Sequence, residues 1–206
     1  YYDGHWVYSD VGWTSDSDYD WGAIPYHYGT WVNDPYSGWV WVPGDTWAPS
    51  WVTWRSGPGY IGWAPVAPSF SFGFSVGFGW GSVGYAGGGP WLFLGANNFL
   101  CGHVGSYAVP AYQNTVIINN TTIINNNFGV EHGMVTNRGL NPRTVEHAIG
   151  RRVNAVPVDQ VRSVHELGKM GFTRDSLKVD PAMRTRGIRA AQPVPGSTPL
   201  PKVAAG

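Results

Sequence analysis

At 206 residues the chain is long enough to bury one good core or two small ones. Charged residues make up only 13%, aromatics reach 15%, and there are 29 Gly and 16 Pro; this mixture excludes helical bundles and coiled coils, and is too aromatic for a disordered chain. The formal charge of zero hides a split: residues 1–130 set seven aspartates against Arg55 alone, a net of −6, and residues 131–206 carry +6. An acidic front excludes phosphate-backbone binding there, and the two halves are expected to attract, within one chain or between neighbours.

The first predicted segment, residues 1–68, is an internal repeat. Trp6-Val7, Gly12-Trp13 and Trp21 are followed by Trp31-Val32, Gly38-Trp39 and Trp47, at separations of 25, 26 and 26 residues. A looser third copy runs through Trp51-Val52 and Gly62-Trp63-Ala64-Pro65. A period near 25 residues signals repeated supersecondary units. Within a unit, Trp39 and Trp41 alternate with Val40 and Val42, and Trp51 and Thr53 with Val52 and Trp54, the period of a strand. Asn33-Asp34-Pro35-Tyr36-Ser37-Gly38, Pro43-Gly44-Asp45 and Ser56-Gly57-Pro58-Gly59 supply turn chemistry. The expected unit is an antiparallel β-hairpin, with Gly12, Gly38 and Gly62 in equivalent positions. The residues expected to pack the repeats are Trp6, Trp13, Trp31, Trp39, Trp41, Trp47, Trp51, Trp54 and Trp63.

The runs Gly38-Trp39-Val40-Trp41-Val42-Pro43-Gly44, Trp47-Ala48-Pro49-Ser50-Trp51-Val52-Thr53-Trp54-Arg55 and Tyr60-Ile61-Gly62-Trp63-Ala64-Pro65 resemble the Trp-rich repeats of secreted bacterial proteins of uncharacterised function. Asn154-Ala155-Val156-Pro157-Val158 is similar to a later segment of that family, so the resemblance reaches over most of residues 4–165. It implies export and a cell-surface or extracellular setting, with the periplasm as the alternative compartment, and it brings no catalytic residues. The first copy departs from the pattern, since Trp13-Thr14-Ser15 lacks the second Trp and the Val-Pro.

In the second segment, residues 69–130, Phe70, Phe72, Phe74, Phe78 and Trp80 alternate with Gly and Ser, predicting a strand with one aromatic face and one nearly bare face. Those rings are the expected assembly surface. Trp91-Leu92-Phe93-Leu94 reads as a return strand. Val116-Ile117-Ile118-Asn119-Asn120-Thr121 then recurs as Thr122-Ile123-Ile124-Asn125-Asn126-Asn127. The six-residue period suits a β-arch or short β-helix with an Asn119, Asn120, Asn125, Asn126 ladder. The third segment, residues 131–206, is basic, with short helices expected over Thr144–Arg152 and Asp159–Met170 and an extended, Pro-containing tail over 190–203. The fold class expected is thus mostly all-β, with a largely extended C-terminal tail.

No motif identifies an enzyme. His5, His27, His103, His132, His147 and His165 show no metal-ligand spacing, and no cofactor motif is present. Cys101 and His103, two apart, lack an orienting third group. Asp16, Asp18 and Asp20 alternate as in some calcium loops but lack the glycine and distal glutamate that such loops need. No run of about 18 apolar residues predicts a transmembrane helix.

Two roles for the twelve tryptophans remain: packing flat against Pro, Gly and Val in thin sheets, or stacking on sugar rings beside carboxylates. The first is expected to dominate. The corresponding function is a structural subunit of an extracellular or cell-surface assembly, a fibre, sheath or surface layer, partnered by copies of itself. The alternative is a glycan- or peptidoglycan-binding envelope module using Trp and Asp surfaces, and clustered solvent-facing Trp beside Asp is the feature that would favour it.

Overall fold

The structure, a computed structural model, describes residues 1–66, 90–124 and 128–179. Three hairpins occupy the repeat region. They are β1 (Gly4–Ser9) with β2 (Gly12–Ser17), β3 (Tyr28–Asp34) with β4 (Gly38–Trp47), and β5 (Val52–Gly57) with β6 (Tyr60–Pro65). The first two are copies of one design. Ser9 pairs with Gly12 across a two-residue turn, and Asp34 pairs with Gly38 across a three-residue turn. That one extra turn residue is why the spacing grows from 25 between first strands to 26 between second strands. Gly12 and Gly38 both open the second strand at positive φ, +103° and +72°.

The third copy is out of step, correcting the expected equivalence of Gly62. That glycine lies inside β6 rather than at the turn, which Pro58 and Gly59 form. Its role is a close approach: a Cβ there would sit 2.3 Å from the Phe93 ring.

Downstream segments complete two of the three sheets. β7 (Leu92–Gly95) adds to β6, and β8 (Thr122–Ile124) adds to β5, giving the order β7-β6-β5-β8. β9 (Phe128–Glu131) and β10 (Met134–Asn137) form a hairpin that joins the first one in the order β1-β2-β10-β9. The junction is a single parallel pairing of Asn137 with Gly12, where a Cβ would lie 2.1 Å from the Asn137 carbonyl oxygen. β3 and β4 stand as a two-stranded sheet among the described residues.

The fold is mixed rather than mostly β. α1 (Asn114–Asn120), α2 (Pro142–Ile149) and α3 (Arg162–Lys169) are joined by several short 3-10 turns. The last two match the helical character read from the sequence. α2 is started by the Asn141 side chain, which accepts from the Arg143 amide, and is stopped by Gly150 in the left-handed conformation.

α1 overturns the predicted β-arch. The first copy of the six-residue period, with Asn119 and Asn120, is helical up to Asn120, and the described part of the second copy, Thr122–Ile124, is a strand. The Asn120 side chain donates back to the Val116 carbonyl instead of joining a ladder, and Arg55 explains why the helix ends there. Its guanidinium donates to the carbonyls of Ile118 (2.9 Å) and Thr121 (2.7 Å), satisfying orphan acceptors at the helix C-terminus. Asn125 and Asn126 lie outside the described residues, as do Phe70, Phe72, Phe74, Phe78, Trp80 and the 190–203 tail.

The main core is a cage of indoles. Trp6, Trp13, Trp54 and Trp63 surround Phe99, with Trp6–Trp54 centroids 4.7 Å apart, Trp6–Trp63 5.3 Å and Trp13–Phe99 4.9 Å, mostly edge to face. Leu94, Leu140 and Val145 close the cluster, so all three predicted segments contribute to it. Each buried indole removes roughly 200 Å2 from water, on the order of 5 kcal/mol before ordering costs. Two of the cage's indole N–H groups are anchored, with Trp13 donating to the Leu140 carbonyl (2.8 Å) and Trp54 to the Asn137 side-chain oxygen (2.7 Å), whereas the Trp6 indole N–H is buried against rings without an acceptor. The Asn137 amide in turn donates to the carbonyls of Ser50 (3.3 Å) and Val52 (3.0 Å), tying the first sheet to the third.

Charges of the two halves meet within the chain. Arg174 pairs with Asp10 (2.6 Å), and Arg162 lies 3.7 Å from buried Asp16, which accepts the Ser163 amide (3.0 Å) and so caps the start of α3. An aspartate from β2 thereby does for the helix what its own N-cap residue, Val161, cannot.

Candidate functional site

The site grows from the segment that links the first two hairpins. After β2 the chain runs Asp18-Tyr19-Asp20-Trp21-Gly22 and turns back on itself. The amides of Tyr26 and Tyr28 donate to the carbonyls of Gly22 (3.2 Å) and Ile24 (2.8 Å). This turn lines up three aromatic rings, with Tyr19 and Trp21 stacked at 4.5 Å and 14°, and Trp21 and Tyr26 at 6.2 Å and 19°. Trp31 on β3 continues the series 5.8 Å from Tyr26, and its indole is held by the Pro25 carbonyl (3.0 Å). Tyr1 fixes the inner end, since its hydroxyl donates to the Tyr26 carbonyl (2.9 Å) and accepts the Trp51 amide (3.1 Å).

These rings form one wall of a groove of about 470 Å3. Its other boundaries are Trp39 of β4, Trp63 and Pro65 at the end of β6, and Pro90, Trp91 and Leu92 leading into β7. Trp21 and Trp39 are 55% and 48% exposed, so two indoles of the groove face solvent. Trp39 stacks on no other described ring. Asp3 lies at the rim and is the only charged side chain among the described lining residues. The Tyr19 hydroxyl donates to Asp3 Oδ2, and that hydrogen bond raises the Tyr19 pKa above its ordinary value. Burial pushes the Tyr26 phenol up to about 12. Both phenols therefore stay protonated at neutral pH; the Tyr19 proton is given to Asp3, leaving the Tyr19 oxygen and Asp3 Oδ1 as acceptors and the Tyr26 hydroxyl as a donor.

Of the nine tryptophans expected to pack the repeats, Trp6, Trp13, Trp47, Trp51, Trp54 and Trp63 are buried. Trp31 and Trp41 are half-buried and Trp39 is exposed, so the second hairpin turns its tryptophans partly outward. Trp21, matched to Trp47 in the repeat, sits in the linking turn, and the groove adds Asp3, Tyr19 and Tyr26, which the sequence reading did not single out. The signal for them was the alternation of acidic and aromatic residues over Asp18–Trp21.

The remaining chemical candidates disperse. Asp16 caps α3, Asp18 pairs with His103 (2.7 Å), and Asp20 is exposed, so the three do not form a calcium loop. The Cys101 thiol lies near the His103 carbonyl (3.4 Å) while the His103 ring faces Asp18, so thiol and imidazole are not paired. His27 and Ser163 meet at 3.0 Å, but both are buried away from the groove. Among the described residues no three His, Cys, Asp or Glu side chains gather as a metal site. No described helix is long and apolar enough to cross a membrane.

Residues 1–70 match the model of a family of unknown function, DUF6600. The match covers the three hairpins and most of the groove, about a third of the chain. No curated protein and no solved structure matches it.

Proposed function

We propose that the protein is a glycan-binding module of the bacterial cell envelope that holds saccharides in the aromatic groove. The observation that carries the reading is the solvent-facing pair Trp21 and Trp39 around a groove rimmed by Asp3. A pyranose ring has apolar C–H faces and a polar edge of hydroxyls, and it needs the combination this groove offers: flat aromatic surface for the faces, and phenol and carboxylate for the edge. The groove is also pre-formed, because hydrogen bonds to Pro25 and Tyr26 carbonyls lock Trp31 and Tyr1 before any ligand arrives. Intrinsic fluorescence titrated with chito- and cello-oligosaccharides tests the reading. Saturable change is expected, with at least about tenfold weaker binding in Trp39→Ala at an unchanged thermal midpoint. Absence of any saturable response would remove the proposal.

A second reading, a structural subunit of an extracellular assembly, is favoured by the β3–β4 hairpin. It is a two-stranded sheet among the described residues and exposes Val40 and Val42 as well as Trp39. Apolar strands with open edges pair readily with copies of themselves. Light scattering and negative-stain microscopy of the full chain decide this: growth of assemblies that Val40→Lys abolishes would support it, and a monomer at high concentration would rule it out.

A further inference from the structure

Resting on the glycan reading, we infer that the groove selects sugars without acidic groups and that Asp3 sets this selectivity. Among its described lining residues the groove is rich in rings and poor in charge, and their single charged side chain is a carboxylate. Arg55 packs over Trp91, with its guanidinium 5.3 Å from the indole centroid. It is already committed to Thr121 and the carbonyls at the end of α1.

An acidic sugar such as a uronate thus meets a carboxylate with no Lys or Arg side chain among the described lining residues to offset it, in a cleft whose aromatic walls weaken solvent screening. An uncharged N-acetylated hexose or a plain hexose instead supplies hydroxyls that Asp3 accepts. Asp3 is also held in place for this role. Tyr19 occupies Oδ2, the same ring stacks on Trp21, and the Asp3 carbonyl receives the Asp18 amide (3.3 Å). Carboxylate and aromatic platform are thereby coupled through one tyrosine.

Binding of neutral chito- or cello-oligosaccharides is compared by calorimetry with binding of oligogalacturonates of the same length. The wild-type chain is expected to favour the neutral set by at least about tenfold at low ionic strength. Asp3→Asn keeps an acceptor for Tyr19, and is expected to reduce that preference to within about threefold, as is 0.5 M salt for the wild type. A thermal midpoint equal to wild type shows that the variant is folded. Equal or tighter binding of oligogalacturonates by the wild-type chain overturns the selectivity, as does a preference that Asp3→Asn leaves intact. In both cases the groove still binds glycan. If neither set binds, the underlying glycan reading has failed instead.

Discussion

The first two hairpins carry the same sequence pattern and meet opposite fates. In β1–β2 every residue of the second strand is buried, and Trp13 is completely enclosed; in β3–β4 the matching Trp39 is 48% exposed and the turn residue Tyr36 is 97% exposed. The paired strands and the glycine that opens the second strand correspond, and the turns differ by one residue, so local sequence sets the hairpin and not its surroundings. What differs is the company each keeps. β2 receives β10 along its edge, Phe99 and Leu140 over Trp13, and α3 at Asp16. Among the described residues β3–β4 is left to itself over most of its length, and the groove lies where that covering stops. A repeat whose first copy builds the core and whose second faces outward can hold a shape and touch a ligand with one motif.

The largest test of this contrast is to truncate the two matched indoles. Trp13→Ala empties a site inside the cage and strands the Leu140 carbonyl. It is expected to cost about 3–5 kcal/mol, a large part of the stability of a domain this size. Trp39→Ala is expected to cost about 1 kcal/mol or less. Urea denaturation of both variants measures the gap. Equal losses would mean that the second hairpin is core, and that the groove is not a free surface.

Much of this division was beyond the sequence, for a physical reason. Hairpins are local, and alternating Trp-Val with Gly and Pro turn residues marked the second and third; Pro43-Gly44-Asp45, expected as a further turn, instead lies inside β4, and the Asp10-Val11 turn of the first hairpin has neither Gly nor Pro. Return strand β7 and helices α2 and α3 were legible for the same reason. Burial is not local: nothing in Trp13 or Trp39 says which of them will meet Phe99. The six-residue Val116/Thr122 period misled because Ile-Ile-Asn-Asn suits a ladder only if both copies extend. Arg55, sixty residues upstream, instead caps the first copy as a helix. The third Trp copy slipped because a Gly-Trp pair looks the same at a turn and in mid-strand. In the candidate site, the tryptophans were visible as a class, but the Tyr19–Trp21–Tyr26 stack depends on a turn that no periodicity announces.

A smaller effect probes the seam between the buried and exposed hairpins. His27 lies just before β3 and is fully buried, with Nδ1 at 2.9 Å from the Ala48 carbonyl and Nε2 at 3.0 Å from the Ser163 hydroxyl. The carbonyl can only accept, so Nδ1 carries a proton, and burial lowers the ring's pKa to about 4, which leaves it neutral at pH 7. In the unfolded chain the ring titrates near 6.5. Between these values the unfolded state binds the extra proton. Stability is therefore insensitive to this group above about pH 7 and falls as pH drops from 6.5 towards 4, by about 3 kcal/mol in all. Unfolding midpoints from pH 7.5 to 4 should show a steeper decline in the wild type than in His27→Gln, which cannot charge. Parallel curves would mean that the ring is reached by solvent and that the seam is open.

The smallest effect separates the two turns themselves. The β1–β2 turn is fastened from outside: Asp10 accepts the Val158 amide (2.9 Å) and pairs with Arg174, while Arg138 donates to its carbonyl. The β3–β4 turn is fastened from within, since Asp34 Oδ1 accepts the amides of Tyr36 (3.0 Å) and Ser37 (2.8 Å), and these bonds hold its pKa below the ordinary carboxylate range. Such a side-chain clasp shapes the turn without joining it to the core. Asp34→Ala should therefore speed hydrogen exchange at the Tyr36 and Ser37 amides and leave the global unfolding midpoint where it was, because local opening of an exposed turn is not coupled to the indole cage. Asp34→Asn should restore most of the protection, as its side-chain oxygen still accepts. A fall in the global midpoint with Asp34→Ala would show that the outward hairpin is bound into the cooperative unit after all. The contrast with β1–β2 would then be one of exposure alone and not of stability.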